Sequence, residues 1–379
     1  MSPVYHYRSP RARRAARLLE RTLRAILFRK RPLPPPADAR RILLVKPDHL
    51  GDVVMASSVL PAIRRRFPEA RIDFVASREG ADFLAGDPLV GKVHVHEHLL
   101  LRREGSLPAR ILRHAATFPA AVRAIRRERY DLCLLLRSHF DNDLFLALLG
   151  GCRFVAGHGT DGFGPLLDAA AEWEEGVHET RHAQEVLEAA GIPADGGPAA
   201  LRIGGAPGDD DAVSRLMALH GLAPGGFVVL HPGTGNPAKQ WGAAKWRELA
   251  RAMACAGHKV VLTGSRAEAA LLREIAAGAE GVVDLSGQLT VRGLAALFGK
   301  AKALVCLDSL AAHLGGAAGT ETFVVYSGIP DPARWAPTGA NVRLLTKNVP
   351  CAPCLAAGGC ASMRCIDFPS EEIFRAVLG

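Results

Sequence analysis

The sequence predicts an α/β protein built from two doubly wound, parallel-sheet domains. Three observations carry that expectation. Apolar runs of strand length alternate with helix-like stretches along the chain. A Gly-, Pro- and Asp-rich segment, residues 191–210, interrupts the alternation near the middle. Two strand-to-helix junctions, 228–241 and 304–313, then put glycines, a lysine and an aspartate where open α/β sheets bind nucleotides. With 379 residues and 49% hydrophobic content, the chain can bury two cores of ordinary size.

In the first half the expected strands are 42–45, 72–75, 93–96 and 132–136. In the second they are 227–230, 259–263, 281–285, 303–307 and 322–326, and the linker holds one short strand at 200–203. The boundary is expected near residue 205. Residues 1–40 form an arm, 41–205 a first domain and 206–379 a second domain with a cysteine-rich tail.

The net charge of +9 belongs to the arm. Twelve Lys/Arg against Glu20 and Asp38 give residues 1–41 a charge of +10, so the rest of the chain sums to −1. Within the arm, Ala16, Leu19, Leu23, Ile26 and Leu27 fall on one helical face, and arginines fill most of the other. Such a helix suits an anionic membrane surface, where each cation contributes on the order of 1 kcal/mol. Nucleic acid is not an expected partner, because the folded part lacks a positive excess. The arm's apolar stretch is short and broken by arginines, unlike a secretory signal. No uninterrupted apolar run of about 18 residues appears.

In the segment 228–241, VVLHPGTGNPAKQW, a strand stops at His231-Pro232 and passes through Gly-Thr-Gly before Lys239. Glycines let the backbone approach a ligand, and the following helix N-terminus with Lys239 adds positive charge. The run 304–307 leads into Asp308, Ser309, Leu310 and His313, a second junction of the same kind. In the first half, the first strand ends in Lys46-Pro47-Asp48-His49-Leu50-Gly51-Asp52. Asp52 therefore stands beside a glycine at a strand's C-terminal edge, as a helix cap or as an acid/base group.

These residues carry a resemblance. The stretches ILLVKPDHLGDVVMASSVLPAIRRRFP (42–68), HPGTGNPAKQW (231–241), LSGQLTVRGLAALFGKAKALVCLDSLAAHLGGAAGT (285–320), SGIPDPARWAP (327–337) and PCAPC (350–354) occur in this order. Together they resemble the bacterial glycosyltransferase family that includes the ADP-heptose:lipopolysaccharide heptosyltransferases, glycosyltransferase family 9.

The resemblance implies a GT-B fold of two Rossmann-like domains and an inverting transfer that needs no metal or other cofactor. The N-terminal domain would receive the acceptor, and the C-terminal domain a nucleotide-sugar donor such as ADP-heptose. Asp52 matches the proposed general base, with Asp48 and Gly51 on the acceptor side. Thr234, Gly235, Lys239, Asp308, Ser309 and His313 match positions around the donor's phosphates, and Glu268 matches a ribose-binding acid. One departure is Leu310, where the family usually has glycine. The implied protein is cytoplasmic, peripheral to the inner membrane, and acts on a lipid-linked glycan. A different nucleotide-sugar, or a catalytically weak nucleotide-binding paralogue, is the alternative.

Two patterns raise metals. His178-Glu179-Thr180-Arg181-His182 spells the zincin motif, with both histidines on one helical face but no third ligand in the flanking sequence. Cys351, Cys354, Cys360 and Cys365 lie within fifteen residues and could hold a structural zinc or iron–sulfur centre, or pair as disulfides. A cytoplasmic setting disfavours disulfides.

Overall fold

The structure is a computed structural model that describes residues 33–98, 106–137, 142–196, 201–203, 208–356 and 358–379. The amphipathic part of the arm lies outside the described residues. The chain divides into two compact units, Met1–Ala199 and Ala200–Gly379.

The first unit holds β1 (Arg41–Val45), β2 (Arg71–Ala76), β3 (Val93–Val95), β4 (Leu132–Leu135), β5 (Phe154–His158) and β6 (Ala169–Ala171). They form one sheet in the order β3-β2-β1-β4-β5-β6. The second unit holds β7 (Phe227–His231), β8 (Lys259–Leu262), β9 (Val282–Asp284), β10 (Ala303–Leu307), β11 (Thr322–Val325) and β12 (Val342–Leu345), ordered β12-β11-β10-β7-β8-β9. Every pairing is parallel. The two sheets share one topology: the first strand of each lies between the second and the fourth. The winding reverses there, the position at which open α/β sheets place their ligand crevices.

The central strands are apolar throughout because helices cover both faces. Ile42, Leu43, Leu44 and Val45 are fully buried, as are Leu132, Cys133 and Leu134 opposite them. In the second unit the helix Ala243–Cys255 lays Trp246, Leu249, Ala250 and Met253 on the sheet, a spacing of three to four residues.

Three strands escaped the sequence expectation. β5 ends in Gly-His, β6 is Ala-Ala-Ala and β12 is half exposed. Their strand character comes from a neighbour's ladder, which local propensity does not report. The linker strand expected at 200–203 is not formed: residues 201–203 are coil, and neither sheet includes them.

Candidate functional site

Each unit carries a cluster at its own reversal point. In the first, Lys46 follows β1 directly, and its Nζ donates to the Leu136 carbonyl beyond β4 at 3.1 Å. The same ammonium pairs with Asp48 Oδ2 at 3.1 Å, and Arg137 Nη1 pairs with Asp48 Oδ1 at 3.1 Å. The loops after β1 and β4 are thus tied across the crevice by one buried carboxylate between two cations. Burial opposes ionisation of Asp48, but Lys46 and Arg137 outweigh it and hold the carboxyl below its ordinary range. Burial likewise works against the Lys46 ammonium, and Asp48, Glu179 and Asp52 together keep it firmly protonated.

Asp52 has the opposite environment. It is the third residue of the helix Leu50–Ala56, whose N-cap is His49, so Asp52 is not the cap. It is half-buried, and its side chain makes no hydrogen bond or ion pair among the described residues. Burial, then Asp48, and to a lesser degree Glu179 push its pKa up to about 7, against the pull of Lys46 and Arg137. Glu179 is buried as the first residue of the helix Glu179–Ala189. Two neighbouring acids, Asp48 and Asp52, thus have their pKa values pushed in opposite directions by their surroundings.

The second cluster sits on β7 and β10. Lys239 ends the short turn Pro237–Lys239, and its Nζ pairs with Asp308 Oδ2 at 2.9 Å. Ser327, beyond β11, donates to the same oxygen at 3.1 Å. Burial raises the Asp308 pKa more than Lys239 and Ser327 lower it. Asp308 Oδ1 and Ser309 Oγ are buried without a hydrogen-bond partner among the described residues. Ser309 is the N-cap of the helix Leu310–Ala318 yet makes no side-chain cap, and its carbonyl accepts from Ala312 N at 3.1 Å. His313 lies one turn along, and Leu310 is half-buried as the first helical residue.

The turn after β7 meets the loop after β8 through Glu268. Its Oε2 accepts from Ser265 N and Ser265 Oγ, both at 2.7 Å, in a capping box. The carboxylate lies against Gly233, where any Cβ would overlap both of its oxygens. Gly233 is therefore the glycine this approach requires, while Gly235 is exposed in the turn. Thr234 Oγ1 accepts from Asn236 N at 3.3 Å. His231, at the end of β7, bonds Thr263 through Nδ1 at 2.9 Å, and burial lowers its pKa to about 4.

Sequence reasoning missed Lys46, Arg137, Glu179, His231 and Ser327. Lys46 and Arg137 each stand just past a central strand, a signal that needed the sheet order to be read. Glu179 was hidden inside the zincin spelling. That spelling does not make a metal pair of its histidines: His178 is a helix N-cap whose Nδ1 accepts from Thr180 N at 3.2 Å. In the tail, Cys351, Cys354 and Cys360 are exposed and Cys365 is buried, all as free thiols. Among the described residues the four are not gathered into a metal-holding group.

Two Rossmann-type units, each with a charged cluster at its reversal point, place the chain among the two-domain, doubly wound α/β proteins. A family model described as glycosyltransferase family 9 (heptosyltransferase) matches residues 120–362. The chain belongs to glycosyltransferase family 9, and it is a glycosyltransferase with the GT-B fold. It is 28% identical over 338 residues to lipopolysaccharide heptosyltransferase 1 of Pseudomonas aeruginosa, covering 88% of this chain and 89% of that protein. It is similar in structure to Escherichia coli ADP-heptose lipopolysaccharide heptosyltransferase II, with a TM-score of 0.69 and 20% identity over 89% of this chain and 98% of that one. A more distant likeness, TM-score 0.51 and 12% identity over 91% and 76%, is to the iron-containing dodecameric glycosyltransferase TibC of enterotoxigenic E. coli. These two structural likenesses speak to fold alone.

Proposed function

We propose that this glycosyltransferase moves a heptose from ADP-heptose onto a lipopolysaccharide core or a related lipid-linked glycan, by inverting displacement without a metal. The observation that carries the reading is Asp52, an acid with no fixed partner whose pKa is raised to about 7 at the first unit's reversal point. A base of that strength is half ionised near neutral pH, where proton transfer is most effective.

In the reaction, Asp52 takes the proton of an acceptor hydroxyl as that oxygen bonds to the anomeric carbon. The bond from that carbon to the phosphate oxygen breaks on the opposite face, and the nucleoside diphosphate leaves with the electron pair. Asp48, held ionised by Lys46 and Arg137, keeps the Asp52 pKa high. Lys239 exchanges its bond to Asp308 for the donor's phosphates and offsets the charge that develops there. Ser309 Oγ and the helix N-terminus behind it donate to the same phosphates, with Thr234, Gly235 and His313 around them. Glu268 Oε1 accepts from the ribose.

The names of the family relatives support heptose and lipopolysaccharide as substrates. Leu310 supports a second reading, since a side chain where the backbone meets phosphate favours another donor or a weakly active nucleotide-binding protein. Incubating purified protein with ADP-heptose and a heptose-deficient core acceptor separates them. The proposal expects ADP release matched by a mass gain of one heptose on the acceptor. A thermal shift with ADP but no turnover rejects it in favour of the weak paralogue. A shift with UDP, GDP or CMP but not ADP replaces the donor.

No helix of the described residues is long and apolar enough to cross a membrane. The proposed site of action is the cytoplasmic face of the inner membrane, with the basic arm holding the enzyme near its lipid-borne acceptor. The full chain should float with vesicles containing phosphatidylglycerol, lose that association at high salt, and not float once residues 1–32 are removed. Equal flotation of the truncated chain would reject the arm as anchor.

A further inference from the structure

The Glu179–Ala189 helix brings a second group of side chains to the end of β5. His158 is the last residue of that strand, and His182 and Glu185 lie three residues apart on the helix. Such spacing puts both on one helical face. One donor atom from each of the three lies within 4.8 Å of the others. His158 and His182 are buried, and Glu185 is partly so.

The surroundings of His158 ask for a cation. Its Nδ1 is 3.2 Å from the Glu172 carbonyl, and its Nε2 is 3.1 Å from the His182 carbonyl. A neutral imidazole has one N–H, so one of these contacts sets a nitrogen lone pair against a carbonyl oxygen. A second proton would relieve that clash. A cation bound at that nitrogen would relieve it as well. With Nδ1–H donated to Glu172, the Nε2 lone pair faces the His182 carbonyl oxygen, a contact that a bound cation would replace. A backbone carbonyl accepting from one ring N–H leaves the other nitrogen as the donor atom, the arrangement of a ligating histidine. His182 is held in plane by Trp173, stacked at 5.3 Å with a 16° tilt, and its Nδ1 is 2.9 Å from Glu185 Oε2.

We infer that His158, His182 and Glu185 form a binding site for a divalent transition-metal cation of the zinc type. Two imidazoles and a carboxylate match the preference of zinc for nitrogen and oxygen donors, and a water can complete four-coordination. Tetrahedral donors about 2.0–2.1 Å from zinc stand about 3.4 Å apart, so donors within 4.8 Å of one another must draw closer when the cation binds. The cation is structural and takes no part in transfer. It pins the helix to β5, and that helix begins with Glu179, which bears on Asp52. The inference does not depend on which sugar the enzyme moves.

The test uses the full chain with Cys351, Cys354, Cys360 and Cys365 changed to Ser, so that tail thiols cannot supply the site. Chelator-stripped protein is titrated with zinc and read by bound metal per chain and by thermal shift. Retention of one zinc with a rise in Tm is expected, and Co2+ in its place should give d–d absorption without a thiolate charge-transfer band. Glu185→Gln, with a partly exposed side chain of the same shape, should keep the apo far-UV spectrum and weaken zinc binding at least about tenfold. His158→Gln provides a second, independent removal of a ligand. A four-serine chain that retains no zinc overturns the proposal, as does an affinity unchanged by Glu185→Gln and His158→Gln.

Discussion

Asp52→Asn is expected to lower kcat by about 10²- to 10⁴-fold, the range for losing a positioned general base, while nucleotide binding is unchanged. The amide keeps the shape of the acid and cannot take the proton. The wild-type kcat/KM should rise with pH through about 7, because Asp52 must be ionised to act. Asp48→Asn removes the nearest like charge and leaves Lys46 and Arg137 to bear on Asp52 alone. The rising limb should then move to lower pH, and Tm should fall as two buried cations lose their shared carboxylate.

The same shift makes a stability prediction of opposite sign. Asp52 titrates at about 7 in the fold and near 3.8 when unfolded, so the folded chain binds the extra proton between those values. Stability contributed by this group is therefore greatest at low pH and falls as pH rises from about 4 to about 7. Asp52→Asn removes that penalty, so its Tm should exceed that of the wild type at pH 8 and match it near pH 4. An inactive but stabilised variant is what a functional acid in an unfavourable site produces. Unchanged kcat in Asp52→Asn, or a Tm difference independent of pH, would remove Asp52 from the mechanism.

Lys239→Ala is the second large effect. A charge-assisted bond to phosphate is worth about 1.5–3 kcal/mol, so ADP should bind roughly 10- to 100-fold more weakly. The substitution also strands the Asp308 carboxylate, whose side chain is 5% exposed. A fully buried pair loses about 3–5 kcal/mol on such a break. Here about 1–3 kcal/mol is expected, because Lys239 is 18% exposed, Ser327 still donates, and the raised pKa of Asp308 lets it take up a proton. Lys239→Ala combined with Asp308→Asn tells the two effects apart. Tm should recover in the pair, since no charge is left unpaired, and ADP affinity should not. Isothermal titration with ADP and a melting curve on the wild type and these two variants suffice. If ADP affinity returned with Tm, Lys239 would be a structural partner of Asp308 and nothing more.

The sequence by itself determined the class of fold, because strand-length apolar runs such as 42–45 and 303–307 are buried on both faces and must be apolar whatever their neighbours. It determined the junctions too: Asp52, Lys239 and Asp308 follow those runs, and the end of a central parallel strand is where a ligand-facing loop begins. The tertiary structure alone decided what those side chains do to one another. That Lys239 meets Asp308, and that Arg137 clamps Asp48, follows from β7 lying beside β10 and β1 beside β4. Pairing order is a long-range property that no local pattern encodes. The same holds for the edges, where Ala169–Ala171 is a strand only because β5 offers it a ladder. It holds for His182, which periodicity paired with His178 and the fold sets beside His158. Periodicity reports which face of an element is buried, and packing decides what that face meets.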